Sequence, residues 1–127
     1  MQNQKSALGM DGNITALLGY IIGIVALVLI FIEKDNKFVR FHALQSVLWA
    51  VAYIVSIIAV MIVGLIISAV LGSISGTLGT ISGILFGLLY FALIIGFLGG
   101  LIYAAIKAYG GTQFKLPFVG NLAKKWV

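Results

Sequence analysis

Residues 14–32 read ITALLGYIIGIVALVLIFI, 19 positions without a charge. As a helix rising about 1.5 Å per residue, such a run measures roughly 28 Å, close to the hydrocarbon thickness of a bilayer. The run predicts one transmembrane helix over 14–32. Asp11 and Asn13 are candidate N-caps at its start, and Glu33 with the turn-prone Asp35-Asn36 pair marks its end.

The chain around this run has the same character. Its 127 residues are 62% hydrophobic and 9% charged, and the mean hydropathy is +1.21. That leaves too little polar surface to cover a water-soluble globule. The length allows one small domain, 1–127, with helix packed on helix in lipid. There is no cysteine, which removes disulfides and thiolate metal sites.

Downstream, a second apolar run extends from about Phe41 to Leu71, longer than the hydrocarbon core needs, so its first turns belong at headgroup level and the span at 47–71. GSISGTLGTISG (72–83) reads as an uncharged turn merging into a third span over 83–106. The 58 residues from Trp49 to Ile106 leave no room for another crossing. The expectation is an all-α integral membrane protein with three transmembrane helices and a short interfacial C-terminal segment. A signal peptide is not expected, since Gln2 to Asn13 holds one lysine and no A-x-A cleavage pattern follows the first apolar run.

Three crossings put the two loops on opposite faces. Lys34, Lys37 and Arg40 lie in the first loop and Lys107, Lys115, Lys124 and Lys125 at the C-terminal side, against Lys5 alone on the other face. The positive-inside rule then predicts a multi-pass membrane protein with the 33–41 loop and the C-terminus cytoplasmic and the N-terminus outside.

EKDNKFVRFHALQS (33–46), which follows the first run, holds six of the twelve aspartate, glutamate, lysine, arginine and histidine side chains. One reading makes it a topology anchor alone. Beyond that, His42, Gln45, Ser46, Trp49, Tyr53 and Ser56 share one side of a helix, a polar and aromatic stripe suited to interhelical hydrogen bonds or to a hydrated vestibule. Arg40 points the opposite way, toward lipid phosphate or an acidic partner, with Phe38 and Phe41 as interfacial wedges. The candidate partner- or lipid-binding residues are therefore Phe38, Arg40, Phe41, His42, Gln45, Lys115, Lys124 and Lys125. One histidine without cysteine makes no credible metal site, and no nucleophile and base stand at recognisable spacing. Neither an enzyme nor a cofactor is expected.

Glycines four apart form a second pattern: Gly19 with Gly23, Gly79 with Gly83 and Gly87, and Gly96 with Gly100. Such small-xxx-small faces let helix backbones approach closely, within a protomer or between protomers, so a homo-oligomer or a membrane-protein partner is expected. The tail, with Phe114, Phe118 and Trp126 beside Lys115, Lys124 and Lys125, suits anionic lipid headgroups, with docking on the 33–46 segment as the alternative. The basic charge is split between two juxtamembrane segments without a binding module, so no nucleic acid is expected.

KFVRFHALQS (37–46) followed by IYAAIKAYGGTQFKLPFVGNLA (102–123) resembles the small prokaryotic membrane proteins grouped with the Tic-type chloroplast protein-import component, to which magnetosome proteins of the MamF and MmsF kind are similar. The matching positions are Phe38, Val39, Arg40, Phe41, His42, Ala43, Gln45 and Ser46, then Tyr103, Lys107, Gly111, Lys115, Pro117 and Gly120. The resemblance implies a small helical protein of a prokaryotic cytoplasmic (inner) membrane and, from the chloroplast branch, a part in protein import. This chain differs from that branch in its shortness and in three expected spans instead of four. Two functions follow: a structural or interaction protein that self-associates or docks a partner through FVRFH and the basic tail, or a component of a translocation or transport complex. Within 14–32 only Thr15 and Tyr20 are polar, and within 84–106 only Tyr90 and Tyr103. That sparse polarity favours the interaction reading.

Overall fold

The computed structural model describes residues 4–127, and among these the regular structure is helical: α1 (Gly12–Ile21), α2 (Gly23–Ile32), α3 (Lys37–Ile74), α4 (Gly76–Tyr109) and α5 (Val119–Trp126). α3 and α4 are each long and apolar enough to cross a membrane. Most of their large apolar side chains face outward, among them Ile54, Val55, Leu65, Ile66, Leu85 and Leu88. Water would not tolerate so continuous an apolar surface, whereas lipid requires it.

The run 14–32 is not one helix. Ile22 is extended (φ −116°, ψ 98°) and separates two ten-residue helices. These fold back on each other, so that a Cβ on Gly19 would meet the Ala26 Cβ at 3.7 Å and Leu29 Cδ1 at 3.9 Å. In an unbroken helix, residues seven apart stand about 10 Å apart along the axis. The break leaves few backbone groups stranded. Ile22 N–H donates to the Leu18 carbonyl (2.8 Å), and Val25 N–H donates to the Ile22 carbonyl (2.9 Å). The Gly19 carbonyl, whose helical partner would lie beyond the break, accepts the Ser46 hydroxyl from α3 (2.9 Å).

The expected first span is thus replaced by a hairpin of half-length helices. The N-terminal segment and the 33–36 loop, expected apart, are joined by hydrogen bonds. Ala7 N–H donates to Glu33 Oε2 (2.7 Å) and Asn36 Nδ2 donates to the Gln4 carbonyl (3.0 Å), which places the two segments side by side.

The chain forms two compact units, Met1–Val51 with Leu98–Val127, and Ala52–Phe97. The second contains the facing parts of α3 and α4. Ser68 and Ser82 share a hydroxyl hydrogen bond (3.0 Å), Phe86 lies over Gly64, the Tyr90 hydroxyl donates to the Ile57 carbonyl (3.3 Å), and Tyr53 stacks on Phe97 at 4.3 Å. The turn expected over 72–83 shrinks to Ser75. The neighbouring hydroxyls bond to their own helices, Ser73 to the Val70 carbonyl (2.6 Å) and Thr80 to that of Gly76 (3.0 Å), so helix continues through a Ser/Thr/Gly-rich stretch. The reversal needs small residues, since a Cβ on Gly79 would stand 2.7 Å from the Gly72 Cα.

In the first unit α4 ends in a Schellman motif. Gly111 takes φ +81°, Gly111 N–H donates to the Ala108 carbonyl (3.0 Å), and Thr112 N–H donates to that of Lys107 (2.9 Å). The chain then returns through 112–118 to α5. There Ala123 packs with Phe41 and Leu44, flanked by Ile30, Leu48 and Val127.

Candidate functional site: a buried polar cluster at the start of α3

The first unit encloses polar side chains to a degree unusual for so apolar a chain. Thr15, Glu33, Asn36, His42, Gln45 and Ser46 are all buried. Glu33 and Asn36 stand at helix ends. Asn36 caps α3, its Oδ1 accepting Val39 N–H (3.3 Å). Glu33, at the end of α2, accepts Ala7 N–H and Asn36 N–H (2.7 and 3.1 Å). Arg40 turns back and donates from Nη1 to the Glu33 carbonyl (3.0 Å), capping α2. Asp11 occupies the N-cap position of α1 without a side-chain cap bond, because its carboxylate pairs with Lys5 (2.7 Å).

At the centre lies a hydrogen-bonded triad. Gln45 Nε2 donates to the Tyr20 hydroxyl (2.7 Å), and that hydroxyl stands 2.8 Å from His42 Nδ1. With its oxygen accepting from Gln45, the phenol is set to donate its proton to Nδ1, which makes Nε2 the protonated nitrogen of a neutral imidazole. Nε2 is buried and has no hydrogen-bond partner among the described residues. The rings of Tyr20, Phe38 and Phe41 surround His42 edge-on, with centroids 5.5, 4.6 and 5.1 Å away.

Gln45 also ties the tail to α3. Its Nε2 donates to the Phe114 carbonyl (2.9 Å), and its Oε1 accepts Leu116 N–H (2.8 Å). Gly120 permits this contact, since a Cβ there would stand 2.5 Å from Lys115 Cβ and 2.9 Å from Gln45 Oε1. At the other end, Asn13 Nδ2 donates to the Tyr109 carbonyl (3.0 Å), joining α1 to the end of α4.

Of the residues expected to meet a partner or lipid, Phe38, Phe41, His42 and Gln45 are interior, and Arg40 is part-buried against α2. Phe38, Val39, Phe41 and His42 of this segment therefore belong to the core, where they were expected at the surface. The physical reason is the folded-back hairpin, which lays α1 and α2 over the face of α3 that a straight first helix would have left open. Lys115, Lys124 and Lys125 are exposed, beside Phe118 (95% exposed, φ +64°), Leu122 and Trp126. The glycine pairs also divide. Gly19 packs on α2 while Gly23 stands open at the hairpin turn, and Gly100 lies under Trp49 while Gly96 is open. Gly83 and Gly87 both face open space.

Sequence reasoning missed Tyr20, Glu33 and Asn36. Tyr20 carried the available signal, because a phenol in the middle of a presumed span needs a partner at that depth. Among the described residues, no three histidine, cysteine, aspartate or glutamate side chains converge as a metal site would require.

Comparison with known proteins is consistent with this picture. The UPF0132 membrane protein MJ1443 of Methanocaldococcus jannaschii is 34% identical over 128 residues, covering 96% of this chain and 94% of its own length. A second protein of that organism, the UPF0132 membrane protein MJ1527, is 30% identical over 121 residues, covering 94% of this chain and 73% of its own. No solved structure matches. The family model of the magnetosome magnetite crystal formation proteins, MamF/MmsF, matches residues 4–123, and with relatives named as membrane proteins over nearly the full length, the chain belongs to that family of small membrane proteins.

Proposed function

We propose that the protein is a structural and interaction protein of a prokaryotic inner membrane that self-associates through an outward glycine face of α4. The observation that carries this reading is the contrast among glycines of one helix. Gly79 and Gly100 are filled by Gly72 and Trp49, whereas Gly83 and Gly87, four residues apart, have nothing within 4 Å. A helix from a second copy could approach there as closely as Gly72 approaches Gly79.

All twelve aspartate, glutamate, lysine, arginine and histidine side chains belong to the unit formed by Met1–Val51 and Leu98–Val127. By the positive-inside rule this unit lies at the cytoplasmic side, with α3 and α4 as the two crossings. Exposed Lys115, Lys124 and Lys125, interleaved with Phe118, Leu122 and Trp126, suit α5 to anionic headgroups or to an acidic partner.

A transport role, including one of the Tic import type, has less support. A conduit needs polar groups free to face water, and here Gln45 and Ser46 are engaged inside the first unit while the Ser56 hydroxyl bonds to its own helix at the Ala52 carbonyl (2.8 Å).

The test is native mass in lipid nanodiscs. The wild type is expected as a discrete homo-oligomer, and Gly83→Leu with Gly87→Leu as a smaller species. A monomeric wild type, or a double variant of unchanged mass, would remove the self-association reading.

A further inference from the structure

We propose that the α1–α2 hairpin is seated in a single leaflet: it enters the membrane from the charged side, turns at Ile22–Gly23 among the acyl chains, and leaves by the side it entered. The N-terminal segment, the 33–36 loop and the C-terminal tail then share one membrane face. This rests on the two crossings of α3 and α4 and is independent of self-association.

Length is the first argument. Each arm has ten residues, a helix of about 15 Å, half of the roughly 30 Å hydrocarbon core. Composition is the second. The turn exposes Ile21 (65%), Ile22 (46%) and Ile24 (72%), and the outer face of α2 adds Leu27, Val28 and Phe31 (72%), with no polar side chain among them. A loop tip in water is built from polar and turn-forming residues, whereas this one matches acyl chains.

The base of the hairpin is the reverse. Lys5, Asp11, Glu33, Lys34, Asp35 and Lys37 cluster within a few residues of its two ends, and the bonds Ala7 to Glu33, Asn36 to Gln4 and Asn13 to Tyr109 hold the base together. Depth agrees. Gly19, three residues before the turn, is level with Ser46, nine residues into α3.

Backbone groups at the break meet what lipid demands. The Ile22 amide and carbonyl are both bonded, and the Gly19 carbonyl accepts from Ser46. A hairpin made to sit in water would not need a serine of a neighbouring helix for this.

The chain has no cysteine, so single cysteines report cleanly. Leu8→Cys, Asp35→Cys, Lys125→Cys, Ser73→Cys and Ile22→Cys are reacted with a membrane-impermeant maleimide in right-side-out and in inverted vesicles. Positions 8, 35 and 125 are expected to label from one common side, position 73 from the other, and position 22 from neither until detergent is added. Labelling of position 8 from the side of position 73 would show that the first run crosses, and would overturn the inference. So would labelling of position 22 from the side of position 125, which would place the hairpin in water. Positions 73 and 125 labelling from one side would instead overturn the two crossings, and the leaflet placement with them.

Discussion

Gln45 uses both amide hydrogens and its carbonyl oxygen to hold α3 to two pieces of chain that are far apart in sequence: Tyr20 of α1, and Phe114 and Leu116 of the returning tail. Gln45→Leu removes the partners of a buried amide and a carbonyl at once. Each orphaned group costs about 1–3 kcal/mol, so the loss of stability is expected to be on the order of 3 kcal/mol. Tyr20→Phe leaves His42 without its partner and should cost about 1–2 kcal/mol. Because the two residues touch, the double variant should lose less than the two singles together. Thermal unfolding in a mild detergent measures all three, and strict additivity would show that the triad does not act as a unit. Gln45, Ser46 and Trp49 were legible as an inward-facing stripe, because polar side chains at helical spacing in lipid have few other places to go. Their partners were not legible, since residues 25 to 71 positions away are brought there by the fold.

Among elements, α5 depends on a single missing side chain. Gly120→Ala would drive a methyl into Lys115 Cβ and Cα, which, unlike the terminal Gln45 Oε1, cannot swing aside, so the tail must lift from α3. Limited trypsin digestion should then cut at Lys115, Lys124 and Lys125 at least several-fold faster than in the wild type. Gly96→Ala, with open space around it, should digest like the wild type. Equal rates for Gly120→Ala and wild type would show that the tail does not need this contact. Here the sequence was informative about one end and not the other. Gly110-Gly111 marks the stop of α4, and Gly111 supplies the positive φ of the Schellman motif. The break at Ile22 has no such marker: hydropathy counts apolar residues and is blind to direction, so a hairpin of two half-length helices and one full span score alike. Gly19, Gly23 and the buried hydroxyl of Tyr20 were the physical hints, and each also fits a continuous helix.

At the scale of the whole molecule, the fold-back at Ile22 changes what the protein presents. It puts Phe38, Val39, Phe41 and His42 in the core, gathers the N-terminal segment, the 33–36 loop and the tail, and leaves α3 and α4 as the helices long enough to cross. The most direct test uses the close approach of Gly19 and Ala26. With a Cβ on Gly19 at 3.7 Å from that of Ala26, the pair Gly19→Cys and Ala26→Cys has the spacing of a disulfide, and the chain contains no other cysteine to confuse the result. After mild oxidation in membranes, intact mass and thiol alkylation should show one intramolecular disulfide in nearly every chain. In a straight helix over 14–32 the two positions would be about 10 Å apart and could not bridge. Two free thiols in an otherwise folded protein would contradict the fold-back and restore a single crossing helix.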